Sequence, residues 1–154
     1  QALEQSLRLS TENTTFRQLA TDTHTWLAHV ALARGDLALA RHEVQAGLEH
    51  AQHQELVVPL VYAHVVHARL LRMEGAVPQD VAAALAEAER IADTVGALGL
   101  VPEIHGERAA LLHRDGRTDD ARRELERARD LYRAMGAGPN AERIAAQIEE
   151  QRGG

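Results

Sequence analysis

The chain of 154 residues has no cysteine and no lysine. Without cysteine there are no disulfides, no thiolate metal sites and no cysteine nucleophile. The absence fits a reducing compartment, and the expected location is cytoplasmic. Without lysine there is no Gly-x-x-x-x-Gly-Lys-Ser/Thr loop to hold a phosphate. All 17 basic residues are arginine, which reads as a coding bias because it touches every segment alike. Aromatics are scarce, at 3%, while 45% of residues are hydrophobic. Alanine and leucine must therefore do most of the packing. Strands draw on β-branched and aromatic residues, so this balance predicts closely packed helices. No apolar run approaches the length of a membrane span. No basic start leads into an apolar core, so no signal peptide is expected. Net charge is 17 minus 23, or −6, which opposes broad binding to nucleic acid or to an anionic membrane. Neither a Gly-x-Ser-x-Gly elbow nor a His-Glu-x-x-His motif occurs.

What is present is a repeat. Gly35, Gly75 and Gly116 are spaced by 40 and 41 residues. Ala40, Val81 and Ala121 are spaced by 41 and 40, as are Val44, Leu85 and Leu125, and the small residues Gly47, Ala88 and Ala128. Chance seldom keeps four columns in phase. In the last copy, Ala121, Leu125, Ala128, Tyr132 and Met135 are spaced 4, 3, 4 and 3 apart, one stripe along a helix. A helix precedes each glycine and another follows it, so a tight turn there folds the two back on each other. A period near 40 with two helices per unit reads as a helical repeat array.

Residues 1–9, with Leu3 and Leu7 one period before Val44 and Leu48, read as the tail of a preceding unit. The chain is accordingly expected to be a piece of a longer protein. Residues 10–15 are a polar break. Unit one covers 16–54, with Leu19, Trp26, Leu27 and Val30 as the apolar side of its first helix and Asp36 capping its second. Unit two covers 55–98. Pro59 fits there only in a first helical turn, and Pro78 is a helix starter. Unit three covers 99–136, with Pro102 in its first turn and Thr118 as the expected cap of its second helix. A final helix at 139–151, with Ile144 and Ile148 inside and Glu142, Glu149 and Glu150 outside, closes the array.

These columns resemble the tetratricopeptide repeat. The small residue midway through that family's first helix corresponds to Ala28, Ala68 and Ala109. The large residue three positions later corresponds to Leu71 and Leu112, with only Ala31 in unit one. The small and large positions of the second helix correspond to the columns of Ala40 and Val44, and the following small one to that of Gly47. The units differ from the usual length of about 34 residues. His24, His64 and His105 stand where a large aromatic is expected, and the usual proline after the second helix is missing. Long units, and the phrase running from Ala128 to Gly136, are similar to repeat segments of large bacterial signal-transduction ATPases and transcriptional activators. The resemblance implies an all-α, right-handed superhelix of antiparallel helix pairs. It also implies a non-catalytic protein-interaction or interdomain module within a regulator. A small-ligand-sensing domain of a transcriptional regulator is the alternative.

Nine histidines raise the question of metal. His64 and His67 are three apart on a helix, as are His50 and His53 at a helix end. Zinc wants three or four ligands with outer-shell support. Moreover, His24, His64 and His105 are spaced 40 and 41 and occupy one repeat column. A repeated position predicts packing or hydrogen bonding, so no metal or other cofactor is expected. Glu124, Glu126, Asp119 and Asp120 read as a solvated face. Arg122, Arg123, Arg127, Arg129 and Arg133 have acids between them, which favours a mixed-charge helix over a nucleic-acid surface. Trp26 reads as an inter-helix anchor. By the family's register, the first helices line an inner face. The candidate contacts are Asp22, Thr25 and His29; then Tyr62, Val65, Arg69 and Arg72; then Glu103, Ala110, His113 and Arg114. Their mixed charge, with one aromatic and apolar ground, suits a peptide or another domain of the same chain.

Overall fold

A computed structural model describes residues 3–5 and 17–153. Residues 3–5 are helical. The rest of the expected tail, the polar break and Phe16 lie outside the described residues. Seven longer helices follow: α1 (Arg17–Arg34), α2 (Leu37–His53), α3 (Val57–Met73), α4 (Pro78–Val95), α5 (Val101–Arg114), α6 (Thr118–Ala134) and α7 (Gly138–Gly153), with a short 3₁₀ turn at Leu98–Leu100. No strand occurs among the described residues. The fold is all-α, built from antiparallel helix pairs. Two compact units form, one up to Ile91 and one from Ala92. In the first, α1 packs along α2, and α3 packs on both. In the second, α5 packs along α6, and α6 along α7.

The helix ends explain why the pairs fold back so tightly. At Gly35, Gly75 and Gly116 the backbone turns left-handed, with φ of +75°, +76° and +76°. The next N–H reaches back to a helix carbonyl: Asp36 to Ala31, Ala76 to Leu71 and Arg117 to Leu112, each at 2.9 Å. This satisfies carbonyls that a helix end otherwise leaves open. A second column ends the second helices. Gly96 and Gly136 have φ of +69° and +73°. The equivalent place after α2 holds Glu55, the one non-glycine with positive φ among the described residues, at +53°. Its neighbour makes the same bond, Leu56 N–H to the Ala51 carbonyl at 2.9 Å. An L side chain in this conformation costs about 1–2 kcal/mol, partly offset by the lower chain entropy that a non-glycine has when unfolded. The Glu55→Gly variant is therefore expected to gain about 0.5–1 kcal/mol. Urea unfolding with an unchanged slope checks this. A variant no more stable than the parent would show that the Glu55 side chain contributes as much as its backbone costs.

Helix starts agree with the sequence in part. Asp36 caps α2, its carboxylate accepting from the Leu39 N–H at 3.0 Å. Pro59, Pro78, Pro102 and Pro139 all fall in first turns. Thr118 does not cap α6. It is the first helical residue, Arg117 holds the cap position, and no side chain caps the end. Asp119 and Asp120 fill the first turn instead, where carboxylates suit the helix dipole. Asp120 also accepts from Arg117 at 2.8 Å.

Small residues set the core. Ala28, Ala31, Leu32, Ala40, Val44, Val66 and Leu70 form the cluster of the first unit. Ala109, Ala121, Leu125, Tyr132, Ala141, Ile144 and Ile148 form that of the second. At Gly47 a Cβ would lie 3.3 Å from the Cβ of His24, so α1 and α2 meet with almost no side chain between them. Along α4, Val81, Leu85, Ala88 and Ile91 are buried.

The expected apolar side of α1 is corrected. Leu19, Trp26 and Val30 are 44%, 55% and 38% exposed. Trp26 is not an anchor between helices. The buried side is Ala20, Ala28, Ala31 and Leu32, together with Thr21, Thr23 and Thr25. Thr23 and Thr25 give their hydroxyl protons to the carbonyls of Leu19 and Thr21, at 2.6 and 2.9 Å. Satisfied in this way, threonine packs as a small residue. Where the helices are spaced by alanine and glycine there is no room for Leu19 or Trp26, which lie on the outer stripe.

Candidate interaction surface

The histidine column resolves into a clamp. His24 Nδ1 lies 2.7 Å from Glu43 Oε2, and His105 Nδ1 lies 2.6 Å from Glu124 Oε2. Each pair joins the first helix of a hairpin to the second, and all four side chains are at most 13% exposed. Both glutamates stand 19 residues after their histidine. In the middle repeat the corresponding residue is Ala84, so His64 has no such partner. Burial lowers the pKa of His64, Glu87 opposes that shift, and His67 and Arg90 add to it. The pKa of His67 is also lowered by burial, with Glu74 opposing.

These two lowered values carry a pH sign. Between the folded pKa and the ordinary value of 6.5, the unfolded chain binds the extra protons. The stabilising contribution is complete above pH 6.5 and is lost as pH falls through the folded pKa. Urea midpoints are expected to fall between about pH 7.5 and about pH 5.5, and to fall less in the His64→Gln variant. An equal fall in parent and variant would remove His64 as a contributor.

The aromatic and basic groups of the first unit converge on α1 and α3. His29 sits between Trp26 and Tyr62, with ring centroids 6.0 and 5.4 Å away and tilts of 49° and 42°. Arg69 Nη1 donates to His29 Nδ1 at 3.1 Å. A guanidinium only donates, so Nδ1 is the acceptor and the ring proton of the neutral tautomer is on Nε2. Tilted rings and one guanidinium thus link Trp26, His29, Tyr62 and Arg69 in a row, while 55% of Trp26 stays exposed. Asp22, one turn before Trp26, is half-buried, and burial raises its pKa. Val58, one turn before Tyr62, is 51% exposed, and Met73, one turn after Arg69, is 41% exposed.

The sequence candidates divide accordingly. Asp22, His29, Tyr62 and Arg69 lie in the first unit, and His29, Tyr62 and Arg69 are in direct contact. Arg72 is half-buried on the same helix. Thr25 and Val65 are 4% and 1% exposed and leave the set of accessible contacts. Glu103, His113 and Arg114 lie in the second unit. Glu103 accepts from the Tyr132 hydroxyl at 2.6 Å, which commits it to the α5–α6 hairpin. Ala110 is half-buried, while His113 and Arg114 are exposed at the end of α5, with Arg114 3.5 Å from Asp115. The residue that reading by register misses is Trp26. Its signal was available: it stands four after Asp22 and three before His29, on their stripe.

A separate groove of about 340 Å³ opens between α2 and α3, with Val44, Leu48 and Leu70 as its apolar floor and Arg41, Glu49 and His67 at its polar edge. Arg41 is tied across to Glu74 at 2.7 Å. On α6, Arg122, Arg127 and Arg129 meet carboxylates at 3.0, 2.7 and 2.9 Å, Arg123 pairs with Asp120, and Arg133 lies 3.9 Å from Asp130. That helix is a mixed-charge face. Among the described residues no group of three or more His, Asp or Glu side chains could hold a metal ion, and no helix is long and apolar enough to cross a membrane. Compared with family models, curated proteins and solved structures, the chain matches none.

Proposed function

We propose that this chain is a non-catalytic interaction module, a tetratricopeptide-like array within a cytoplasmic bacterial regulator. It binds a peptide or a neighbouring domain through α1 and α3. The observation that carries the reading is the contiguous surface of Trp26, His29, Tyr62 and Arg69. Aromatic and arginine side chains already in mutual contact have less freedom to lose when a partner docks, and such residues dominate binding energy at interfaces. The in-phase columns at 40 and 41 residues support the family. Selection of a random-peptide display library on the domain, followed by binding to Trp26→Ala and Arg69→Glu variants, tests it. The selected peptides are expected to lose about ten-fold or more in affinity on either variant. Peptides that bind all three proteins equally would move the site elsewhere.

The groove between α2 and α3 favours ligand sensing as the second reading. Its volume falls within the range typical of small-molecule sites, about 300–1,000 Å³. Thermal stabilisation by a metabolite, abolished by Leu48→Arg, would support that role.

A further inference from the structure

Among the described residues Asp22 has no hydrogen bond or ion pair, and burial raises its pKa. A carboxylate drawn partly out of water normally has a cation or several donors beside it. Among the described residues neither stands beside Asp22. One helical turn on, at the i+4 position, stands the exposed ring of Trp26. Positions four apart share one helix face. A carboxylate and an indole face both attract a cation, and together they define its place from two sides. The far end of the same surface has the opposite sign: Arg69 donates to His29 there. Leu19, at 44% exposure, lies three residues before Asp22, an apolar bed for the methylene stem of a long side chain. The chain as a whole carries −6, which steers basic partners toward it.

We infer that the Asp22–Trp26 step of α1 is the docking point for a lysine or arginine side chain of a peptide partner. Asp22 acts as its counter-ion and Trp26 as its platform. The inference rests on the interaction-module reading and adds the chemistry of the partner. The peptide lies with its basic residue at the Asp22 end and a polar or acidic residue toward Arg69.

The test uses peptides selected from the random display library on the parent domain. Lysine or arginine is expected at one fixed position. Replacing it with alanine is expected to weaken binding by about ten-fold, the size of a partly desolvated ion pair with a cation–π contact. Asp22→Asn is expected to weaken the parent peptide equally but to leave the alanine peptide unchanged, so that the two losses do not add. Folding is checked in the same protein. The raised pKa of Asp22 means that its charge destabilises the free domain above that pKa, so Asp22→Asn is expected to raise the melting temperature at neutral pH. Peptides that lose affinity on Trp26→Ala but ignore both Asp22→Asn and their own basic residue would overturn the basic anchor and leave the interaction surface standing. Peptides indifferent to Trp26→Ala would overturn both. Arginine amide alone binding as tightly as the peptide would overturn the peptide partner.

Discussion

The Leu125→Ala variant is expected to lose about 2–5 kcal/mol of stability, in the upper half of that range. Leu125 has no exposed surface. It packs in a cluster with Ala109, Ala121, Tyr132, Ala141, Ile144 and Ile148. The cost of such a truncation has two parts, the lost transfer of the side chain and the cavity left behind. The second part depends on whether neighbours can close in. Three of the neighbours are alanines, which have no rotamers with which to reach into the gap. Closure would need the helix backbones to move, against turns pinned at Gly116 and Gly136. Guanidinium unfolding followed by circular dichroism measures the loss. Met135→Ala is the control, since Met135 is 43% exposed and its truncation should cost little. A loss below about 1 kcal/mol for Leu125→Ala would mean that the cluster repacks, contrary to the rigid spacing inferred from its alanines.

That cluster also shows what the sequence could and could not announce. The column of Val44, Leu85 and Leu125 is a buried column, because period and helical stripe both depend on the helix surface alone. The turns at Gly35, Gly75 and Gly116 were legible for a similar reason: a left-handed turn needs glycine, and glycine is visible. The orientation of α1 was not. A rule that puts large apolar residues inside selects Leu19, Trp26 and Val30, whereas helix contact this close selects alanine and hydrogen-bonded threonine. Glu55 was illegible because its conformation comes from the turn it completes, not from its own preference. The candidate surface fell in between. Register alone points to His29, Tyr62 and Arg69, but neighbouring positions on a helix are about 100° apart. An error of one residue therefore exchanges buried Thr25 for exposed Trp26.

The histidine column leads to the second large effect. The Glu124→Ala variant is expected to cost about 1–3 kcal/mol, because it leaves the His105 Nδ1–H without its acceptor. Glu124 serves two donors at once, His105 through Oε2 and Arg127 through Oε1 at 2.7 Å. Arg127 is solvated and loses little, so His105 carries the cost. A double-mutant cycle with His105→Leu separates the terms. Once His105 is gone, removing Glu124 should cost much less, and a coupling near zero would reduce the pair to a coincidence of packing. The middle repeat offers the converse experiment. Ala84→Glu places a carboxylate 20 residues after His64, at the position that Glu43 and Glu124 occupy in their own repeats. It is expected to raise the His64 pKa, which burial now holds down, and to flatten the fall in stability toward acid. If the new glutamate leaves the His64 titration unmoved, the clamp depends on more than its two residues, and the middle hairpin has diverged in geometry as well as in sequence. If the titration moves, Ala84 alone accounts for the one histidine of the column that remains half-buried without a carboxylate partner.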